Sequence, residues 1–228
     1  MIAIIGAMEE EIESIKKRMK KLSSKVIAKT KFFEGELADT PVVLLQSGIG
    51  KVNAAVSTTI LFENYSVDYC VNIGTAGGIK KDANVLDIVV SNQVSHHDVD
   101  VTGFNYAYGQ VPGMPLYYEP DPKLVLQIRE VLNDAEFPYH EGLIVSGDSF
   151  INQPEQIQVI KSKFPDAIAV EMEASAISQV CEIYQKPFLI LRSLSDIAGK
   201  ESNFSFDQYL EQAANHSSLF IESLIKKL

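Results

Sequence analysis

The sequence predicts a single α/β domain around a largely parallel sheet, and three observations predict it. Short apolar, β-prone runs alternate with stretches of helical periodicity through most of the chain, the pattern of strands and helices packed in layers. Several of the runs end in glycine or polar loops, at 74–78, 146–151, 171–173 and 192–196. At the carboxyl edge of a parallel sheet such loops gather into a ligand cleft. The 228 residues are 46% hydrophobic and 22% charged, enough for one sizeable core. No internal repeat or low-complexity linker divides residues 1–228.

Ile2 to Ile5, closed by Gly6, reads as a buried first strand. A helix is expected from Glu9 to about Leu22, with Ile12, Ile15, Met19 and Leu22 as its apolar stripe. At about 100° per residue, Glu9, Glu10 and Glu13 fall on the solvent side, whereas Glu11 lies at the edge of the stripe. An acidic first turn favoured by the helix dipole explains the first three acids better than it explains Glu11.

Val26–Ala28, Phe32–Leu37 and Val42–Gln46 read as a meander of strands. Ser47-Gly48-Ile49-Gly50-Lys51 then leads into a helix from Val52 to Tyr65; its spacing is not that of a Walker loop. Tyr69–Ile73 is a strand ending in Gly74-Thr75-Ala76-Gly77-Gly78, which is not a dinucleotide fingerprint. Asp87–Ser91 is a strand, and Val94–Val101 alternates through His96-His97-Asp98. Neighbouring strand residues face opposite sides, so the two histidines do not converge on a metal.

Thr102–Tyr118 is a long loop rich in glycine, proline and tyrosine, the kind of aromatic surface that meets a partner, most simply a second copy. Asp121-Pro122 opens a helix to about Asn133. A strand at Leu143–Val145, a loop at Ser146–Ile151 and a helix from Pro154 to about Phe164 follow. Ile168–Val170 is a strand running into Glu171-Met172-Glu173 and a helix from Ala174 to Ile183. The last strand is Pro187–Arg192, and a final helix spans about Phe206 to Leu228.

A formal net charge of −10 disfavours nucleic acid and anionic membrane surfaces as partners. No apolar run reaches membrane-spanning length and no signal peptide is evident, so a cytoplasmic protein with a small ligand is expected. Cys70 and Cys181 read as small core residues in a reducing compartment.

Among the 30 Asp and Glu residues, Glu11, Glu173 and Asp196 stand at element boundaries next to buried sequence. No cysteine nucleophile, serine elbow or zinc motif competes with them. Carboxylates without a metal suit general acid/base hydrolysis, with glycosidic cleavage as the leading case. Arg192 could hold an acid or a substrate hydroxyl. Glu171 and Glu173 alone are equally compatible with a salt-bridged helix start.

Six blocks carry a more specific signal. Ile4-Ile5-Gly6-Ala7-Met8-Glu9-Glu10-Glu11, Ser47-Gly48-Ile49-Gly50-Lys51-Val52, Asn72-Ile73-Gly74-Thr75-Ala76-Gly77-Gly78, Val145-Ser146-Gly147-Asp148-Ser149-Phe150-Ile151, Ala169-Val170-Glu171-Met172-Glu173-Ala174 and Arg192-Ser193-Leu194-Ser195-Asp196 occur in that order. With them the chain closely resembles, over essentially its whole length, the bacterial 5′-methylthioadenosine/S-adenosylhomocysteine nucleosidases. The resemblance implies a purine nucleoside phosphorylase-like fold, one domain around a twisted, barrel-like mixed sheet flanked by helices. It implies a homodimer, no metal and no organic cofactor. The implied reaction is hydrolysis of the adenine N-glycosidic bond of methylthioadenosine, S-adenosylhomocysteine and 5′-deoxyadenosine, in methionine salvage and the recycling of S-adenosylmethionine by-products.

Roles follow from the resemblance residue by residue. Asp196 is the implied general acid toward adenine N7, oriented by Ser195, and Glu11 activates the attacking water. Glu173 binds the ribose hydroxyls, Met172 packs on the sugar, and Arg192 lies near the water and the acids. Phe150 stacks on adenine, the Ile151 backbone pairs with it, and Ala76 and Gly77 line the base pocket. Met8, Ile49 and Phe206 line the 5′-substituent end. Val101, Phe104, Tyr106 and Pro112 reach into the neighbouring subunit's pocket. Departures are small: Thr75 stands in place of a frequent serine, and Val99 and Leu194 in place of frequent alanines. A general acid that stays protonated near neutral pH calls for a dry site.

Three other readings compete. A phosphorylase of the same superfamily needs a cationic phosphate pocket, and the glycine loops bring only Lys51. A nucleosidase for an aminodeoxyfutalosine-type substrate would keep the same acids. A silent nucleoside-binding protein would be expected to have lost Glu11 or Asp196.

Overall fold

The computed structural model describes residues 1–198 and 202–228, with side chains left undescribed at 202–205. Nine strands form one mixed sheet in the order β2-β3-β4-β1-β5-β8-β7-β6-β9. They are β1 Ile2–Gly6, β2 Lys20–Ile27, β3 Thr30–Leu37, β4 Thr40–Gln46, β5 Tyr69–Gly78, β6 Ile88–His96, β7 Tyr139–Ser146, β8 Ala167–Glu171 and β9 Phe188–Ile197. A further pairing of β5 with β9 closes β5, β8, β7, β6 and β9 into a barrel, which removes free edges on that side. The predicted α/β class with a barrel-like mixed sheet is what the chain adopts.

The helices α1 Glu9–Arg18, α2 Lys51–Asn64, α3 Pro122–Asp134, α4 Pro154–Lys163, α5 Ala174–Ile183, α6 Ser202–Leu219 and α7 Ile221–Lys227 cover the sheet. Helix α2 packs on α5, and α1 on α6. Strand β1 is buried at all five positions because it is central and covered on both faces. One apolar layer joins Ile4, Ile12 and Ile15 to Leu189, Leu191 and Leu224. Another joins Ile5, Leu45 and Leu61 to Ile177 and Ile190.

Several element boundaries differ from the sequence reading. Helix α1 ends at Arg18, not near Leu22. The backbone turns extended at Met19, and Lys20–Ile27 pairs antiparallel with β3. Leu22 therefore continues the apolar period by coincidence and is exposed. Ala28 and Lys29 form a two-residue hairpin turn with φ of 48° and 67°, as do Ala38 and Asp39 with 51° and 61°. These are type I′ torsions without the glycine or asparagine that normally announces them.

Strand β6 is continuous across the gap expected after Ser91, with a bulge between Ser91 and Gln93. The expected final helix is divided at Phe220 into α6 and α7. The change that matters most lies in the loops expected at 74–78 and 192–196. They are not loops but the distal halves of β5 and β9, paired in parallel with each other.

Candidate active site

A cavity of about 290 Å³ opens where the strand ends meet. Thr75, Ala76 and Gly77 reach it from β5, Val170 and Glu171 from β8, and Ser195 and Asp196 from β9. Ala7, Met8 and Glu11 come from the β1–α1 connection and α1, Ile49 from the β4–α2 loop, and Ser149, Phe150 and Ile151 from the segment after β7. Met172 and Glu173 open α5, and Phe206 comes from α6.

Glu11 is held at both carboxylate oxygens. Oε2 accepts from the N–H groups of Ala7 (2.7 Å) and Met8 (3.3 Å), and Oε1 from the Thr75 N–H (2.9 Å) and hydroxyl (3.2 Å). It is 2% exposed, in keeping with its place at the stripe's edge. The Thr75 hydroxyl, to which sequence reasoning assigned no role, is thus a direct partner of Glu11.

Gly74 makes this approach possible. A Cβ there would lie 2.2 Å from an Arg192 nitrogen and 2.6 Å from Glu11 Oε1, at a φ of +152° that disfavours a side chain.

Asp196 owes its position to an irregularity. Ala76 pairs with Leu194 and Gly77 with Asp196, so Ser195 has no partner on β5. In an unbroken strand neighbours point to opposite faces; the extra residue lets both Ser195 and Asp196 face the cavity. The Ser195 hydroxyl donates to Asp196 Oδ1 at 2.9 Å. Asp196 is 1% exposed, so its carboxyl is screened from bulk water.

Glu171 and Glu173 have separate jobs. Glu171 is the last residue of β8 and accepts from the N–H groups of Glu173 (3.0 Å) and Ala174 (2.8 Å), so it caps α5. It also pairs with Arg192 and accepts from the Ser146 hydroxyl. Arg192 is fully buried and does not line the cavity: its guanidinium donates to Ile73 O and Asn72 Oδ1, both at 2.7 Å, and to Glu171. Of the two expectations for Arg192, an acid or a substrate hydroxyl, these contacts show it holding an acid, Glu171. Burial alone would lower its pKa, but Glu171, Glu11 and Glu173 outweigh that and raise it.

Glu173 accepts from the Gly50 N–H at 2.9 Å and stands 3.9 Å from Arg192. Burial, then the charges of Glu171 and Glu11, push its carboxyl from 4.5 up to about 8 against the opposing pull of Arg192 and Gly50. In the unfolded chain this group ionises first as pH rises. Folding therefore loses stability progressively from about 4.5 to about 8, and none of that penalty is present below the lower value. Glu173→Gln, which keeps the acceptor for Gly50, is expected to melt with the native chain at pH 4.5 and above it at pH 8. Parallel melting curves at both pH values would refute the assignment.

The other candidates divide into two groups. Met8, Ile49, Ala76, Gly77, Phe150, Ile151, Met172, Ser195 and Phe206 all line the cavity. Phe150 and Phe206 meet edge to face with centroids 5.6 Å apart. Val101, Phe104, Tyr106 and Pro112 do not line it; they lie on the 101–112 loop, where Phe104 is 78% exposed.

His96 is buried and structural, bonded to the Ser175 hydroxyl (2.8 Å) and Gln179 (3.0 Å). Burial lowers the pKa of both His96 and His97. Among the described residues no group of three or more His, Cys, Asp or Glu side chains is placed to hold a metal, and no helix is long and apolar enough to cross a membrane.

The sequence has counterparts along its whole length. The model of the phosphorylase superfamily matches residues 1–226. The chain belongs to the phosphorylase superfamily. Within that superfamily, the 5′-methylthioadenosine/S-adenosylhomocysteine nucleosidase of Bacillus subtilis (strain 168) is 48% identical over 228 residues, which is 100% of this chain and 99% of the relative.

The Neisseria meningitidis nucleosidase of the same name, in complex with methylthio-immucillin-A, has TM-score 0.98 and 41% identity, covering 100% of this chain and 99% of that one. A futalosine hydrolase mutant of Helicobacter pylori strain 26695 shares the fold with TM-score 0.95 but only 32% identity, covering 100% and 99%. The phosphorylase-superfamily fold is thus common to these proteins.

Proposed function

We propose that the chain is an N-glycosyl hydrolase that releases adenine from 5′-methylthioadenosine and S-adenosylhomocysteine, and from 5′-deoxyadenosine, leaving the 5-substituted ribose. The observation that carries this reading is the convergence of Glu11, Glu173 and Asp196 on one cavity walled by Phe150 and Met172. Full-length similarity to nucleosidases of that name supports it.

In this reading Asp196 protonates N7, so that adenine leaves as a neutral base. Ser195 orients the acid, and Phe150 stacks on the ring while the Ile151 backbone, Ala76 and Gly77 frame it. The C1′–N9 electrons go to the departing base, and the sugar takes on oxocarbenium character. Glu11, fixed by four hydrogen bonds, removes a proton from the water that attacks C1′. Glu173 binds the ribose hydroxyls and Met172 packs on the sugar; Met8, Ile49 and Phe206 surround the 5′-substituent.

Water is the acceptor in this reading because, among the described residues, the cations near the site are already committed. Arg192 is paired with Glu171 and Lys51 with Asp98, which leaves an incoming phosphate dianion facing Glu11 with no described cation to meet it. The decisive assay is methylthioadenosine in phosphate-free buffer, with free adenine and methylthioribose as the expected products. A strict requirement for phosphate would overturn the hydrolase reading.

The same proposal includes a cytoplasmic homodimer. The exposed Phe104 and its neighbours Val101, Tyr106 and Pro112 would complete the 5′ end of the partner's pocket.

A further inference from the structure

The Ser47–Lys51 turn and the His-His-Asp run are prominent in the sequence, yet most of their polar groups have no part in the chemistry above. They meet each other. The Lys51 ammonium pairs with Asp98 Oδ1, and Asp98 Oδ2 accepts from the Asp148 N–H at 3.0 Å. Asp148 Oδ1 in turn accepts from the Lys51 N–H at 2.7 Å. Three side-chain and backbone links thus form a closed circuit among the loops after β4, β6 and β7.

This circuit supplies what α2 lacks. The helix begins at Gly50-Lys51 with no side-chain cap of its own and no acid in its first turn. Its free N–H groups are met by carboxylates from elsewhere: Asp148 at Lys51 and Glu173 at Gly50. Gly50 has φ +93°, and a Cβ there would lie 3.1 Å from Asp148 Oδ1, so the close approach depends on glycine. The Lys51 and Asp98 side chains are 18% and 32% exposed. An ion pair so placed adds little by itself; its effect is to hold Asp98 where it fixes the Asp148 backbone. Two residues beyond Asp148 stands Phe150, and two before Lys51 stands Ile49, both walls of the cavity.

We propose that Asp98 is a positioning residue which, with Lys51 and Asp148, locks the Ile49 and Phe150 walls together and holds α2 against Glu173. This rests on the hydrolase reading for its kinetic consequence. Glu11 and Asp196 come from α1 and β9, outside the circuit. The lock therefore governs how tightly base and sugar are gripped, and leaves proton transfer alone.

The test uses the full chain with Asp98→Asn, Lys51→Met and the double variant. KM for methylthioadenosine is expected to rise about tenfold in each, with kcat within about threefold, the split that loss of ground-state grip produces. The double variant is expected to be no worse than the poorer single, because both open one circuit. Hydrogen exchange of the substrate-free Asp98→Asn chain is expected to quicken at residues 47–52 and 147–151. An unchanged KM, a fall confined to kcat, or unchanged exchange at either segment would overturn the proposal. If the native chain itself releases no adenine, the hydrolase reading falls, and the exchange measurement alone then decides whether the lock exists.

Discussion

Asp196→Asn is expected to lower kcat for adenine release by about 10²–10⁴-fold, the usual value of a positioned general acid. Asparagine keeps the shape and the oxygen that accepts from Ser195, so the bulged strand is left intact. Its amide also supplies an N–H in place of the acid's O–H that can face N7, although it cannot transfer the proton. Binding of free adenine should therefore survive within a few-fold while turnover collapses, a difference read by titration calorimetry beside a steady-state assay. Near-normal turnover would remove Asp196 from the role of acid. Loss of binding together with turnover would show that the side chain serves mainly to shape the pocket.

The second large effect is expected at Arg192. The residue has no solvent exposure and supplies the positive charge nearest Glu171 and Glu173 among the described ion pairs. Arg192→Met fills similar volume but leaves Glu171 buried with no cation beside it. Breaking one side of a buried ion pair costs about 3–5 kcal/mol. For a domain of this size that is a fall in Tm of about 6–20 °C. The Arg192→Met, Glu171→Gln double variant should recover much of the loss, because a neutral pair carries no orphaned charge. A single variant that melts with the native chain, or a double variant no better than the single, would show that Glu171 is compensated elsewhere.

The order of elements was legible because apolar period and turn residues are local signals. The strand ends that gather at the cavity could be found the same way, and Glu11 betrayed itself by its angle on the α1 wheel. What escaped was non-local. The reach of β5 and β9 depends on their pairing with each other, and the glycines and serines of 74–78 and 192–196 look like loop. The hairpins at Ala28-Lys29 and Ala38-Asp39 are imposed by the strands they join. The end of α1 follows from the pairing of Lys20–Ile27 with β3, which no periodicity in α1 could announce.

The acids divided in the same manner. Resemblance singled out Glu173 but left Glu171 open. Only the contacts of Arg192, Ser146 and the first turn of α5 show that Glu171 is the structurally committed one, while Glu173 lines the cavity with a hydrogen bond from Gly50. Arg192 was expected to hold either an acid or a substrate hydroxyl, and its contacts select the acid. Its full burial reflects the need of three carboxylates for a shared counter-charge. The loop bearing Phe104 stands apart from its own cavity, the arrangement that the proposed homodimer requires.

The unpaired Ser195 makes the site depend on parity. Along β9 the identity of a side chain decides how well it fits, but the number of residues between Leu194 and Asp196 decides which way the acid looks. Substitutions there are graded; a change in length is all or none, since one residue fewer restores regular alternation and turns the carboxyl out of register with Gly77. The short stretch is thus a place where sequence can drift in chemistry but hardly at all in count.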